Sequence, residues 1–154
     1  MHGLQEKVHV GRLQLVALAA AFFLDRIIKH DLWFATRSGS DFLIHPELNV
    51  NIAFSLPLPS FFRAAVIPVL LCICLGLLIA SVRAYRRDAP TFFWWGLLAA
   101  GALSNVLDRI LLGGVLDYFD LGFFPVFNLS DAYIVVALCA FIILDWRSSR
   151  TTHS

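Results

Sequence analysis

Charge is what this sequence has least of. Only 15% of its 154 residues are Asp, Glu, Lys or Arg, against about 25% in an ordinary globular composition. The formal net charge is +1, and no basic face is concentrated enough to hold a nucleic acid. Cysteine is sparse too. Cys72, Cys74 and Cys139 lie in apolar runs with no histidine beside them, which excludes a disulfide framework and suits packing rather than metal or redox chemistry. There is no glycine-rich phosphate loop, no Ser-His or Cys-His arrangement, no internal repeat and no low-complexity segment. What fills the space is apolar: 59% of the residues are hydrophobic and the mean hydropathy is +0.77. A soluble fold of this length leaves roughly a third of its chain surface in water, too much to hide so apolar a composition. A disordered chain and a large multidomain enzyme are excluded as well. The sequence reads as a single integral membrane domain over 1–154, all-α, with a small β-like extracytoplasmic segment.

A bilayer-spanning helix needs about 20 mostly apolar residues. Four stretches are expected to cross, at roughly 10–32, 61–82, 92–112 and 126–146. The first contains an apolar run, 13–24, that resembles a signal-peptide core. It continues as Asp-Arg-Ile-Ile-Lys without a small-residue cleavage site, so it is read as a retained helix. Basic residues of short connections set orientation. Arg83, Arg86 and Arg87 fill the second-to-third connection, with Lys7, Arg12, Arg147 and Arg150 near the termini. The other connections carry Asp31, Asp41, Glu47, Asp117 and Asp120. Both termini are therefore expected in the cytoplasm, with the acidic connections outside. The outer connection 33–60 is expected to hold a short strand or two within 48–58, bounded by Pro46, Pro57 and Pro59. Trp33, Phe34, Phe61 and Phe62 are expected at headgroup depth on the outer side, and Trp94 and Trp95 on the inner side.

Polar groups gather where lipid should be. Asp25 and Lys29 share a face of the first helix. Asn105, Asp108 and Arg109 lie near the outer end of the third. Asp117 and Asp120 follow Gly113-Gly114, and Asn128 and Asp131 open the fourth. Each has a plain structural role open to it. Asp25 with Lys29, and Asp108 with Arg109 or another helix, are most simply ion pairs. Asn51, Asn105 and Asn128 would serve as interhelical glue, and Asp131 as a helix cap. Asp117 and Asp120 would be solvated loop charges, and the glycines a turn. The five histidines are assigned to tails or loops without a ligand role. The separate roles leave one thing unexplained, which is convergence at one depth. Two carboxylates sharing a water form a minimal hydrolase, because close like charges keep one protonated while the other acts as base. Spacing alone does not choose Asp117 with Asp131 over Asp108 with Asp131.

At these residues the chain resembles the lipoprotein signal peptidases, the signal peptidase II family of bacterial intramembrane aspartyl proteases. Leu24-Asp25-Arg26-Ile27-Ile28-Lys29 is similar to the family's D-Q-x-x-K, and the segment Asn49-Val50-Asn51-Ile52-Ala53-Phe54-Ser55 to N-x-G-A-A-F-S. The run from Gly101 to Arg109 resembles G-A-L-G-N-x-x-D-R. Gly114-Val115-Leu116-Asp117-Tyr118-Phe119 resembles G-x-V-V-D-F-I, and Phe124 to Asp131 resembles F-P-x-F-N-x-A-D. The resemblance implies Asp117 and Asp131 as the catalytic pair, with Asp25, Lys29, Asn49, Asn105, Asp108, Arg109 and Asn128 in support or substrate binding. It implies a diacylglyceryl-prolipoprotein substrate cut before the lipidated cysteine, with no metal or organic cofactor. The expected setting is the bacterial inner membrane, as a monomer surrounded by lipid, with the active site near the outer leaflet. Of the positions that depart from the family pattern, three bear most on the site: Asn51 stands for Gly, Ser104 for Gly and Ser130 for Ala.

Two other classes fit parts of the pattern. A transferase could hold Mg²⁺ through Asp108, Asp117, Asp120 and Asp131, although no basic phosphate cradle accompanies them. A small transport or assembly protein, or an inactive paralogue, would use the polar cluster as glue. Chelator sensitivity marks the first, and ion-coupled transport without proteolysis the second.

Overall fold

The computed structural model describes residues 2–35, 44–50 and 60–151. The elements in chain order are α1 (His2–Ala35), β1 (Ile44–Asn49), α2 (Ser60–Arg86), α3 (Phe92–Leu112), β2 (Val115–Phe119) and α4 (Leu129–Thr151). Among the described residues three helices, α2, α3 and α4, contain stretches long and apolar enough to cross a membrane: Ala65–Arg86, Phe92–Leu112 and Leu129–Arg150. The fold is that of a mostly helical membrane protein with one two-stranded sheet. Helix α1 is not among the three, because Arg12, Asp25, Arg26 and Lys29 break its apolar run.

Helix α3 is the axis of the bundle and touches every other helix. Its buried residues include Leu97, Ala99, Gly101, Ser104, Val106 and Asp108. Helix α2 is apolar all round, and Val69, Leu71, Ile73, Leu75 and Ile79 are exposed along it, as a lipid-facing span requires. It carries Pro68 in its interior, which membrane helices tolerate where neighbours satisfy the backbone. Helix directions follow from side-chain neighbours. Leu18 lies against Gly96, and Arg26 and Lys29 against Ser104 and Asn105, so α1 runs parallel to α3. Trp95 stacks on Phe141, and Gly101 meets Ile134, so α4 runs antiparallel to α3. A Cβ on Gly101 would stand 2.6 Å from the Ser130 carbonyl oxygen. Only glycine lets the two backbones approach so closely.

Several elements differ from the sequence-based expectation. Helix α4 begins at Leu129 rather than near 126, because Phe127 is engaged in an isolated bridge with Phe119. Among the described residues a strand of the outer connection lies at Ile44–Asn49, overlapping the expected 48–58 at its start, and 51–58 lies outside the described residues. The strand's partner is β2, far along the chain, with Glu47 opposite Asp117 and Asn49 opposite Val115 in an antiparallel register. Proline-bounded alternation located a strand in this connection but not the partner that fixes it. Of the histidines, His2, His9 and His30 lie in α1 and His45 in β1, not in tails or loops. The run 51–59, with Asn51, and the side chains of Phe61 and Phe62 fall outside what is described.

Candidate active site

The chain leaves α3 through Gly113, whose φ of 77° gives the helix a left-handed cap. Strand β2 then runs back over the end of the bundle, and Val115, Leu116, Asp117 and Tyr118 along it are all buried. Asp117 is 3% exposed. Its two carboxylate oxygens each accept from an amide. Asn49 Nδ2 on β1 donates to Oδ2 at 3.0 Å, and Asn128 Nδ2 donates to Oδ1 at 2.6 Å. Burial pushes the Asp117 carboxyl up to about 6. The Asn49 amide opposes that shift, the Asp131 charge adds to it, and Asn128 and Lys29 oppose it.

Asp131 sits in the first turn of α4. Asn128 caps that helix: its Oδ1 accepts from Asp131 N at 2.9 Å, and Asn128 N donates back to Asp131 Oδ2 at 3.3 Å. This is a reciprocal cap of the capping-box kind, so the cap and the expected site residue are one structure. The other oxygen, Oδ1, accepts from Asn105 Nδ2 at 2.7 Å. Three asparagines from β1, α3 and the start of α4 thus hold two carboxylates through neutral donors. Among the described residues no cation lies within ion-pair distance of either.

A second cluster lies behind the first, and it is built differently. Asp25, Lys29 and Asp108 are all essentially inaccessible. Lys29 Nζ lies 2.8 Å from Asp108 Oδ2 and 3.2 Å from Asp25 Oδ2, and it donates to Asn105 Oδ1 at 2.9 Å. Arg26 pairs with Asp108 Oδ1, and Leu116 N donates to Asp108 Oδ2 at 3.3 Å. The cationic partners of Asp108 therefore come from α1, not from its neighbour Arg109. Asp25 accepts from Ser104 Oγ at 2.6 Å, Ser130 Oγ at 2.7 Å, Ser130 N at 3.2 Å and Tyr118 Oη at 3.4 Å. Tyr118 Oη also accepts from Leu129 N at 3.1 Å, and burial pushes its phenol further above the usual range.

Asp117 and Asp131 open onto one cavity of about 900 Å³ between α2, α3 and α4. Asn49, Asn105 and Arg109 share its polar end. The remaining wall is apolar, including Val66, Val69, Leu70 and Ile73 of α2 and Ile134 and Val135 of α4. Asp108 and Asp120 do not line it. Asp120 accepts from Gly122 N at 2.7 Å and lies 3.8 Å from His45. The four carboxylates of a Mg²⁺ site therefore do not converge: Asp108 is turned to two cations, and Asp120 closes a surface turn.

The model of the family described as signal peptidase (SPase) II matches residues 17–147. The chain belongs to the signal peptidase II family. A lipoprotein signal peptidase of Bartonella henselae is 30% identical over 154 residues, 91% of this chain and 94% of that one. Another, of Desulfitobacterium hafniense, is 36% identical over 91 residues, 56% of this chain and 60% of the relative's length. A solved bacterial membrane enzyme superposes with a TM-score of 0.71 at 21% identity, covering 89% of both chains, a likeness of fold. The resemblance drawn from five short motifs is thus a family membership.

The structure brings together Asn49, Asn105, Arg109, Asp117, Asn128 and Asp131 around the cavity end, and Asp25, Lys29 and Asp108 behind it. Sequence reasoning missed Arg26, Tyr118 and the two serines. Arg26 carried a signal, being a charge inside an apolar run. Ser104 and Ser130 were noted only as departures from the signal peptidase II pattern, with no partner to give them meaning.

Proposed function

We propose that this chain is an intramembrane aspartyl endopeptidase that removes the signal peptide from diacylglyceryl-modified prolipoproteins, cutting before the lipidated cysteine. One observation carries the reading: two carboxylates, Asp117 buried and Asp131 half-buried, held by amides rather than cations, stand at the polar end of an otherwise apolar cavity. Asp117, its carboxyl pushed up to about 6, keeps a protonated fraction as neutrality is approached from below and is assigned the acid. Asp131 acts as the base. Asp131 takes a proton from water as the hydroxide adds to the carbonyl carbon before the cysteine, while Asp117 protonates the carbonyl oxygen. As the gem-diol intermediate collapses, the proton on Asp131 passes to the leaving amine, Asp117 takes back a hydroxyl proton as the carbonyl re-forms, and the C–N bond breaks. Asn49, Asn105 and Asn128 hold the carboxylates, and Arg109 at the cavity rim is suited to a substrate carbonyl. Lys29, Asp25 and Asp108 support from behind.

The same reading makes α1 a fourth transmembrane helix. It runs alongside α3, buries Asp25 and Lys29 against it, and turns Val16, Phe23, Leu24 and Ile27 outward. Gly11 near its start lies against Tyr85 near the end of α2. Arg12, Arg83, Arg86, Arg87, Arg147 and Arg150 therefore gather at one end, away from the sheet. By the bias of positive charge that end is cytoplasmic, with both termini there, in the inner membrane of a bacterium. The carboxylates then sit near the outer leaflet, where a lipid-anchored substrate presents its cysteine. The enzyme acts as a monomer. The test is a gel-shift cleavage assay on a diacylglyceryl-prolipoprotein, with and without EDTA. Cleavage indifferent to chelator supports the reading. Loss with EDTA, or no cleavage by folded protein, overturns it.

A further inference from the structure

Serine in a helix interior, where Ser104 stands in α3, is a weaker helix former than alanine, and its hydroxyl ordinarily turns back to a carbonyl of its own helix. Ser104 instead reaches outward to a third helix, and Ser130, in the first turn of α4, reaches the same atom. Both hydroxyls donate to Asp25 Oδ2, at 2.6 and 2.7 Å, and both residues are wholly buried. Ser130 adds its backbone N–H to Oδ1 at 3.2 Å. Ser104 Oγ also accepts from Arg26 Nη1 at 3.3 Å, so it engages two consecutive residues of α1.

The hydroxyls share their acceptor with Lys29, and this gives them reach. An ammonium has three donors, and here three acceptors surround Lys29 Nζ: Asp108 at 2.8 Å, Asn105 Oδ1 at 2.9 Å and Asp25 at 3.2 Å. Asp25, whose oxygen is already served by two hydroxyls, is the longest of the three. Without them a buried carboxylate would depend on the lysine, and the ammonium would be drawn towards α1 and away from Asn105. The Lys29 contact to Oδ1 decides which end of the Asn105 amide faces Asp131. With Oδ1 held, Nδ2 donates to Asp131 Oδ1 at 2.7 Å.

We propose that Ser104 and Ser130 are a matched pair of positioning residues, which by satisfying Asp25 leave Lys29 to orient the Asn105 amide and through it Asp131. This rests on the reading of Asp117 and Asp131 as the reacting pair. The two serines are one device, since each supplies half of the same service to the same oxygen.

The experiment compares Ser104→Ala, Ser130→Ala and the double variant with wild type on a diacylglyceryl-prolipoprotein in detergent. kcat and KM are normalised to monodisperse protein, and thermal midpoints are measured alongside. The double variant is expected to lose about 10- to 100-fold in kcat, the scale of a small misplacement of a reacting group, with KM unchanged and with each single variant losing less. A folded double variant at wild-type kcat overturns the proposal. So does a lowered thermal midpoint with unchanged kcat per folded molecule, which would reduce the serines to helix glue. If the double variant does not fold, the single variants decide by the same criterion. Failure of the wild-type protein to cleave overturns the functional reading and this inference with it, whereas wild-type cleavage with indifferent serine variants overturns this inference alone.

Discussion

The two carboxylate clusters, one behind the other in the fold, are treated in opposite ways. Asp25 and Asp108 are surrounded by Lys29, Arg26, two serine hydroxyls and a tyrosine. Asp117 and Asp131 receive asparagine amides and open onto a cavity. In a membrane interior a lone charge is expensive, so the rear pair is neutralised and ties α1 to α3 and α4. The front pair is left with neutral donors, which fix its position without fixing its protonation. Burial, which the Asn49 and Asn128 amides only partly offset, pushes the Asp117 carboxyl up to about 6. Full ionic compensation makes a joint; partial compensation leaves a pair suited to the reacting role proposed for it.

Substitution is the strongest way to break this contrast. Asp117→Asn and Asp131→Asn are each expected to lower cleavage by about 10²–10⁴-fold or more while the protein still inserts and runs monodisperse. Near-normal turnover in either would mean that the front pair is not the reagent. Asp108→Asn should behave the opposite way. Breaking a buried ion pair from one side costs about 3–5 kcal/mol, so its thermal midpoint in detergent should drop while turnover per folded molecule stays measurable. A well-folded Asp108→Asn protein as inactive as Asp117→Asn would falsify the division into joint and reagent.

The pH dependence sharpens the same contrast. The folded Asp117 carboxyl lies above its ordinary value of 3.8, so it favours folding below that value, and the benefit is lost as pH rises through about 6. Relative to Asp117→Asn, wild type should therefore lose up to about 3 kcal/mol between pH 4 and 7, read from paired thermal melts. A constant difference across that range would count against a buried, weakly acidic Asp117. With Asp117 as the acid, kcat/KM, which reports the free enzyme, should fall as pH rises through about 6. The smallest effect concerns Asn49. Its amide favours the ionised form of Asp117, so Asn49→Ala should move that descending limb upward by about half a unit to one unit. A limb that stays put would separate β1 from the acid.

Apolar run length was enough to locate the helices, and the bounds of α3 needed no tertiary information. Sequence was weaker wherever a long-range partner set the outcome. Strand β1 sits where it does because β2, some seventy residues later, offers Asp117 opposite Glu47, and nothing local to 44–49 encodes that. Helix α4 starts late because Phe127 pairs with Phe119. At the site, spacing put Asp108, Asp117 and Asp131 at one depth but could not separate them. What separates them is the side of α3 each one faces, and the partner of Asp108 is Arg26, eighty-two positions away. The serines were legible only as differences from a pattern, because their meaning lies in a carboxylate on another helix.

The greasy wall of the cavity has a consequence for selectivity. In water such a groove would attract any oily chain. In a bilayer, acyl tails are as apolar as leucine, so moving a hydrophobic segment from lipid into the groove gains almost nothing by solvation. On the proposed function the groove's resting occupant is bulk lipid, present in vast excess, and a client must outcompete it with something lipid tails do not have. The difference has to come from backbone carbonyls and amides meeting Asn49, Asn105 and Arg109 at the polar end. Side-chain tolerance along the apolar stretch and strictness at the few residues nearest the carboxylates then follow from the solvent, not from any special feature of the wall.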